Sequence, residues 1–430
     1  MKSLNTAIKM CLATAALASA PGHAANWLML QGTEPAGSAA RAKLWGFVQA
    51  QYQKDFSEPF VNAGTEVYIP PKLIGPNLDD QSQFNVNRAR IGVRGTGFPL
   101  DSNVNYFVLV EMGNNAITNG ANSFAHLTDA SITLNHIEGA RVRAGLFKYP
   151  GSEEGLQAIH VFDYINFTNV TNQLLLERFP DASDTNQAAT PTPNADMNQI
   201  SNPVGAFRDV GVQVFDTFRN GEWEHSYALM YGNGNGLNFG DGNGNGKGNL
   251  YAYWASEKVF GGKGGRREGW KTFAWWQKGK RVNAYDTSQE QNRTRWGAGT
   301  KYLKKPWRVT AEYMKGKGMI FQGPHRPQHL FNDLEASGWY VEGGWYIPQT
   351  AWEIDLRYDY YKRDENHPTS AAGDQTEFKT WTIGAQYHFN KKTRVNIEYA
   401  ARDNSSDTTA IDNQNKDVKG RLAIQLTAIF

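Results

Sequence analysis

The 430-residue sequence contains one cysteine, Cys11, and no run of about 18 apolar residues. The first removes a disulfide framework and thiolate metal sites, and the second removes a membrane protein built of helices. Cys11 itself sits in a stretch with the marks of an export signal: Lys2 and Lys9 at the start, an apolar core over 10–20 and a small-residue cleavage site at Gly22-His23-Ala24. Residues 1–24 are therefore read as a signal peptide. The residues before Cys11 are Ile8-Lys9-Met10, too large for a lipoprotein signal.

An excess of one charge is missing as well. Without Lys2 and Lys9, the 44 basic residues become 42, against 42 acidic ones. Global charge then argues for neither nucleic acid nor anionic lipid as partner, and any selectivity must come from local placement. His160, His225, His325, His329 and His388 share no metal-ligand spacing. Asp241, Asn243, Asn245 and Gly246 match the first half of a calcium loop, but Ala252 stands where a bidentate acid is required. No G-x-S-x-G context occurs, and GKGGRR at 262–267 lacks phosphate-loop spacing. The residues assign no catalytic group, cofactor or metal, so the chain reads as a non-enzyme.

What is present is alternation. In Trp352-Glu353-Ile354-Asp355-Leu356-Arg357-Tyr358-Asp359-Tyr360 apolar and charged residues change places at every step. Such a strand has one greasy and one ionic face. Segments of this kind start near Lys43, Phe84, Val104, Thr128, Arg141, Phe207, Glu224, Leu250, Trp270, Thr294, Trp307, Trp339, Trp352, Lys379, Thr393 and Lys419. That makes sixteen, most of them long enough to cross hydrocarbon when tilted. Long and short connections alternate between them, as in a barrel with external loops on one rim and periplasmic turns on the other. Both chain ends fall on the short-turn rim. Trp270, Trp307, Trp352, Tyr346, Tyr387 and Phe389 gather at strand ends, where aromatic girdles lie. The final strand, 421–430, closes on Phe430, similar to the terminal signal of outer-membrane proteins. The expected fold is all-β: a transmembrane antiparallel barrel over 42–430, in contact with outer-membrane lipid, preceded by a periplasmic tail or partial plug at 25–41.

FNVNRARIGVRG at 84–95, ARVRAGLFKYP at 140–150 and FRDVGVQ at 207–213 resemble the phosphate-selective porin O/P superfamily. That resemblance implies a 16-stranded barrel in the outer membrane of a Gram-negative bacterium, commonly a homotrimer, with a long third external loop folded inward. The segment 149–204 is the longest connection and takes that place. It further implies a water-filled channel for passive diffusion of small hydrophilic solutes, with a phosphate-like anion preference.

Parity then assigns the pore lining. Arg88, Arg90 and Arg94 oppose Ala89, Ile91 and Val93; Arg141 and Arg143 oppose Val142 and Ala144; Arg295 and Lys301 oppose Trp296, Ala298 and Tyr302; Arg308 opposes Val309 and Ala311. Arginine on the lipid face costs about 2–4 kcal/mol at mid-depth, so these residues point inward. Lys148, Arg178 and Arg208 flank the long loop. Asp355 and Asp359, with Asp209, Glu312, Glu342, Glu353 and Glu398, point inward by the same rule. The arginines begin early in the chain and the acids cluster late, which suggests a basic wall facing an acidic one. Glu153 and Glu154, beside Lys148, either tune the constriction or cap a short helix. Two other classes compete with the channel: an outer-membrane hydrolase, and a scaffold barrel for an exported protein.

Overall fold

The computed structural model describes residues 26–34, 42–58, 60–62, 65–67, 82–97, 100–115, 117–118, 124–177, 206–234, 236–237, 247–262, 264–282, 290–320, 334–363, 375–407 and 409–430. The signal segment 1–24, the half calcium loop, Arg178, His325 and His329 lie outside them.

Sixteen strands close into one antiparallel barrel. In chain order they are β1 (Lys43–Asp55), β2 (Ser82–Gly97), β3 (Asp101–Glu111), β4 (His126–Leu134), β5 (Arg141–Lys148), β6 (Arg208–Asn220), β7 (Trp223–Gly232) and β8 (Asn249–Gly261), followed by β9 (Glu268–Val282), β10 (Glu290–Lys304), β11 (Trp307–Lys317), β12 (Glu335–Tyr346), β13 (Trp352–Arg363), β14 (Thr376–His388), β15 (Thr393–Ser406) and β16 (Arg421–Ile429). Every start lies within four residues of the one expected from alternation. Each strand pairs with its neighbours in sequence, and β1 closes the ring against β16 with Val48 opposite Ala428 and Tyr52 opposite Ile424. Closure leaves no unpaired edge, the condition for a sheet to stand in hydrocarbon. None of the described helices is long and apolar enough to cross a membrane.

The barrel is inside-out relative to a water-soluble protein. Leu44, Ile91, Leu229, Trp254, Leu356, Trp381 and Ile383 are exposed, while Gln49, Arg143, Arg295, Arg308, Glu353 and Asp355 are almost completely buried. An apolar exterior around a polar interior is what alternation produces when the outer solvent is lipid. Trp270, Trp307, Trp352 and Phe389 stand exposed, with Trp307 stacked on Trp345 and Trp352 packed edge-on against Tyr387.

One bulge resets the parity. On β2, Arg88 faces Gln49 and Val86 faces Ala50, so Asn87 is skipped in the pairing with β1. Asn87 and Arg88 are consequently both buried. Two residues opposing one is the geometry of a bulge, which re-aims a side chain at that point.

Candidate functional site: the inner face of the barrel

The loop after β5 supplies the first part of the site. Between residues 149 and 177 there are four acids and no lysine or arginine. Each acid meets cations of the wall. Glu153 pairs with Lys271 of β9 and with Lys301 of β10, the latter at 3.1 Å. Glu154 lies 3.5 Å from Arg357 of β13. Asp163 pairs with Arg266 in the turn before β9 and with Arg308 of β11, at 3.2 Å. Glu177 pairs with Arg293 of β10 at 2.6 Å. Burial alone would raise the Glu153 carboxyl, but the ammonium groups of Lys271 and Lys301 outweigh it and hold the group down to about 2. Burial wins at Glu154, whose carboxyl is pushed up despite Arg357.

Backbone groups of the same loop reach the wall elsewhere. Asp359 accepts from the Asn169 amide and side chain, both at 2.8 Å, and Glu398 of β15 accepts from the Ile165 amide at 2.8 Å. Arg295 donates to the Leu174 carbonyl at 2.9 Å. Gln49 of β1 reaches the Ile159 carbonyl at 3.4 Å. A segment bonded at once to β1, β10, β13 and β15 crosses the ring. Its apolar residues Leu156, Phe162, Tyr164, Val170, Leu174 and Leu175 join one buried cluster with Tyr251, Phe273, Trp275 and Tyr340 of the wall. Ser152 caps the short helix Glu153–Leu156 by accepting from the Gly155 amide at 3.0 Å. Glu153 thus begins a helix and also locks the loop, and its cations are Lys271 and Lys301.

Residues 26–34, in the segment expected as a tail or partial plug, lie against the inner face. Asn26 caps the helical turn Trp27–Leu30, and Trp27, Leu28 and Met29 belong to the buried cluster. Arg94 holds the end of the segment, pairing with Glu34 and donating to the carbonyls of Thr33 at 2.6 Å and Leu30 at 3.3 Å. A side chain at Gly265 would collide with the Trp27 ring, so the turn before β9 is shaped to receive it.

The remaining arc, β16, β1 and β2, is lined differently. Gln49, Gln51 and Gln53 alternate along β1, beside Gln425 and Thr427 on β16 and Asn87 on β2, all nearly fully buried. Gln51 Nε2, both polar atoms of Gln53, Gln425 Oε1 and Asn87 Oδ1 have no hydrogen-bond partner among the described residues. Groups of this kind are satisfied by water or solute in a folded protein.

Four of the predicted lining residues share one pocket. Arg88, Arg90, Lys148 and Arg208 line it together with Asn115, Ile117, Phe167 and Phe207. Each cation is held in place: Arg90 by Glu111 at 2.6 Å, Arg208 by Asp129 at 2.9 Å, Arg88 by the Gln49 side-chain Oε1 at 3.0 Å, and Lys148 by the carbonyls of Gly155 and Gln157, both at 2.8 Å.

The other predicted residues do not join them. Arg94, Arg141 and Arg143 lie toward the short-turn rim, Arg141 near Met29 and Asp216, and Arg143 over the Phe215 ring. Arg295 binds loop carbonyls and Lys301 binds Glu153. Arg308 is shared among Asp163, Glu353 and Asp355, and Asp359 caps the Asn169 amide. The late wall is therefore mixed: Arg308, Arg357 and Arg394 stand among its acids, because the acidic loop needs cations there. Segregated basic and acidic walls are not what the wall shows. The glutamine row is not a charge pattern, but it has a signal in the sequence, Gln at every second position from 49 to 53. Among the described residues no group of three or more His, Cys, Asp or Glu could hold a metal ion.

Residues 277–428, from within β9 to the end of the barrel, match the family model described as phosphate-selective porin O and P. No curated protein matches the chain. Among solved structures, the outer-membrane channel DcaP of Acinetobacter baumannii is similar, with 13% identity, a TM-score of 0.52, and coverage of 93% of this chain and 100% of that one. OmpF of Salmonella typhi, solved with daunomycin, gives 15% identity, a TM-score of 0.52, and coverage of 90% and 97%. The trimer form of OmpT, an outer-membrane protein of Vibrio cholerae, gives 12%, 0.50, and coverage of 91% and 100%. Residues 277–428 carry the porin O/P pattern, and the likeness of the whole chain to these outer-membrane proteins is one of barrel fold.

Proposed function

We propose that the barrel is a passive channel for small hydrophilic solutes, with a bias toward anions. The carrying observation is the arc of β16, β1 and β2, whose unpartnered glutamine and asparagine atoms run beside a loop bonded to the other wall. The segment 149–177 acts as the constriction, and the solute gradient is the driving force, so no chemistry is required. Residues 26–34 act as a partial plug on the short-turn rim. The anion bias rests on Arg88, Arg90, Lys148 and Arg208, whose acidic partners are Glu111 and Asp129. Assembly as a homotrimer is part of the same reading, supported by the trimer form of the OmpT barrel.

Recording of purified protein in a planar bilayer tests this. Discrete conductance steps are expected, and their absence would end the channel reading. Arg90→Ala should roughly halve the anion-to-cation permeability ratio, since it removes one of the lining cations. An unchanged reversal potential would leave Arg90 a structural partner of Glu111.

A further inference from the structure

Residues 26–34 cross the lumen at the short-turn rim. At one end Asn26 bonds to Ser226 of β7, and Trp27 lies against Gly265 in the turn between β8 and β9. At the other end the Glu34 amide donates to the Asn105 side chain of β3 at 2.9 Å, and Arg94 of β2 pairs with the Glu34 carboxylate. In a ring of sixteen strands β2 and β9 stand seven places apart, so the two anchorages lie almost opposite each other. We propose that this segment is a reversible gate, seated in a receptor that the wall builds for it, and that the emptied seat takes up a free peptide of the same sequence. The gate rests on the channel reading, whereas the seat can be tested without it.

Three observations carry it. The first is that the seat is shaped on both sides. A Cβ on Gly265 would stand 2.4–2.5 Å from atoms of the Trp27 ring, so the turn leaves room for that ring only while it has no side chain there. On the segment, Gly32 has a φ of +69°, and a Cβ there would come 3.0 Å from Phe107 Cβ of β3. Glycine both adopts that conformation and allows the close approach. Trp27, Leu28 and Met29 are all buried, and Arg94 reaches the carbonyls of Leu30 and Thr33 besides the Glu34 carboxylate.

The second is that the segment is held by side chains alone. Among the described residues no backbone-to-backbone hydrogen bond joins it to a strand; every bond to the wall has a side chain at one end, from Asn26, Arg94 or Asn105. The ring of strands is closed without it, so the segment can leave and no ladder bond is broken. Ordering nine residues opposes the burial of three apolar side chains, and the two effects are of comparable size. A seat so nearly balanced empties and refills.

The third is contact with the constriction. Gln31 donates to the Leu156 carbonyl at 3.4 Å, at the end of the short helix whose Glu153 is paired with Lys271 and Lys301. Trp27, Leu28, Met29 and Leu156 belong to one buried cluster. The segment and the long loop therefore obstruct the bore together, and departure of the segment widens it from the short-turn side.

Two full-length variants empty the seat from opposite sides. Gly265→Ala sets a methyl group where the Trp27 ring lies, and the triple variant Trp27→Ala, Leu28→Ala, Met29→Ala removes the seated side chains. Either should raise single-channel conductance in a bilayer about twofold, and one suffices if the other fails to fold. A synthetic peptide of residues 26–34, added to both chambers, should return the triple variant to the native conductance in a concentration-dependent way. The same peptide with Trp27→Ala should need about tenfold more, the factor that loss of one buried apolar group supplies. Native conductance in the variants, or a peptide without effect on the triple variant, overturns the proposal. If no form of the protein conducts, the channel reading falls and the gate with it, and anisotropy of the dye-labelled peptide with the detergent-solubilised triple variant decides the seat: saturable binding weakened by Trp27→Ala upholds it, and absent or unaltered binding refutes it.

Discussion

Two arcs of one wall, built from the same alternating pattern, have opposite interiors. On the arc from β8 to β13 the inward positions carry Tyr251, Phe273 and Trp275 together with Lys271, Arg293 and Arg308, and the loop covers them with apolar residues and acids. On the arc of β16, β1 and β2 they carry Gln425, Gln49, Gln51, Gln53 and Asn87. The packed arc pairs its cations with acids of the loop, while the polar arc sets a row of uncharged amides beside Arg88 and Arg90, whose partners Gln49 and Glu111 come from the wall itself. Glutamine and asparagine bind neither a hydrophobic segment nor an acid strongly, so the loop touches this arc lightly, through the Gln49–Ile159 hydrogen bond and His160 on Trp45 and Phe47, and takes its ion pairs from the other side. The difference shows how a closed barrel can anchor a loop chiefly to one part of its inner face.

The comparison breaks most sharply at Glu177, which is fully buried beside Arg293 and Arg295. Glu177→Ala removes their shared carboxylate from a buried site and should destabilise the packed arc by about 3–5 kcal/mol. The midpoint temperature of unfolding on heating in detergent should fall, and single-channel conductance should rise as the loop loosens. An unchanged midpoint would show that the loop is held by its apolar residues alone.

Acid offers a graded version. Glu153 is held down to about 2, below the usual carboxylate value, so its stabilising effect is complete above that usual value and is lost as pH falls through about 2. Glu154, shifted upward by burial, takes its proton earlier. Conductance recorded from pH 7 downward should therefore keep the Glu153 lock through pH 4 in the native protein. Opening of the loop above pH 4 with the same course in Glu153→Gln would place the acid-sensitive contact elsewhere.

The smallest effect belongs to the polar arc. Gln51→Leu removes one hydrogen bond, donated by Asn87 Nδ2 to Gln51 Oε1, and should lower stability by only about 0.5–1.5 kcal/mol. Its conductance should nevertheless fall, since an apolar surface replaces a hydrated one. A large loss of stability would mean that this arc is packed like the other.

Much of this was legible in the residues. The run Trp352 to Tyr360 shows both faces of a barrel strand, and sixteen such runs place every strand within four residues of its observed start. The loop's attachment was not legible. Nothing in Ser152-Glu153-Glu154 names Lys271 or Lys301, more than a hundred positions away. The bulge at Asn87 leaves a mark in the sequence, a change of apolar parity from Phe84 and Val86 to Ala89 and Ile91 across Asn87-Arg88, and the pairing with β1 gives that mark its meaning.

Period-two alternation by itself determined the barrel, its lipid-facing exterior and the inward turn of its charged residues, since local chemistry dictates which face of a strand tolerates hydrocarbon. Tertiary structure decided which cations are neutralised by the loop and which remain along the polar arc. Ion pairs and packed rings join residues far apart in sequence, and only closure of the ring sets the distances between them.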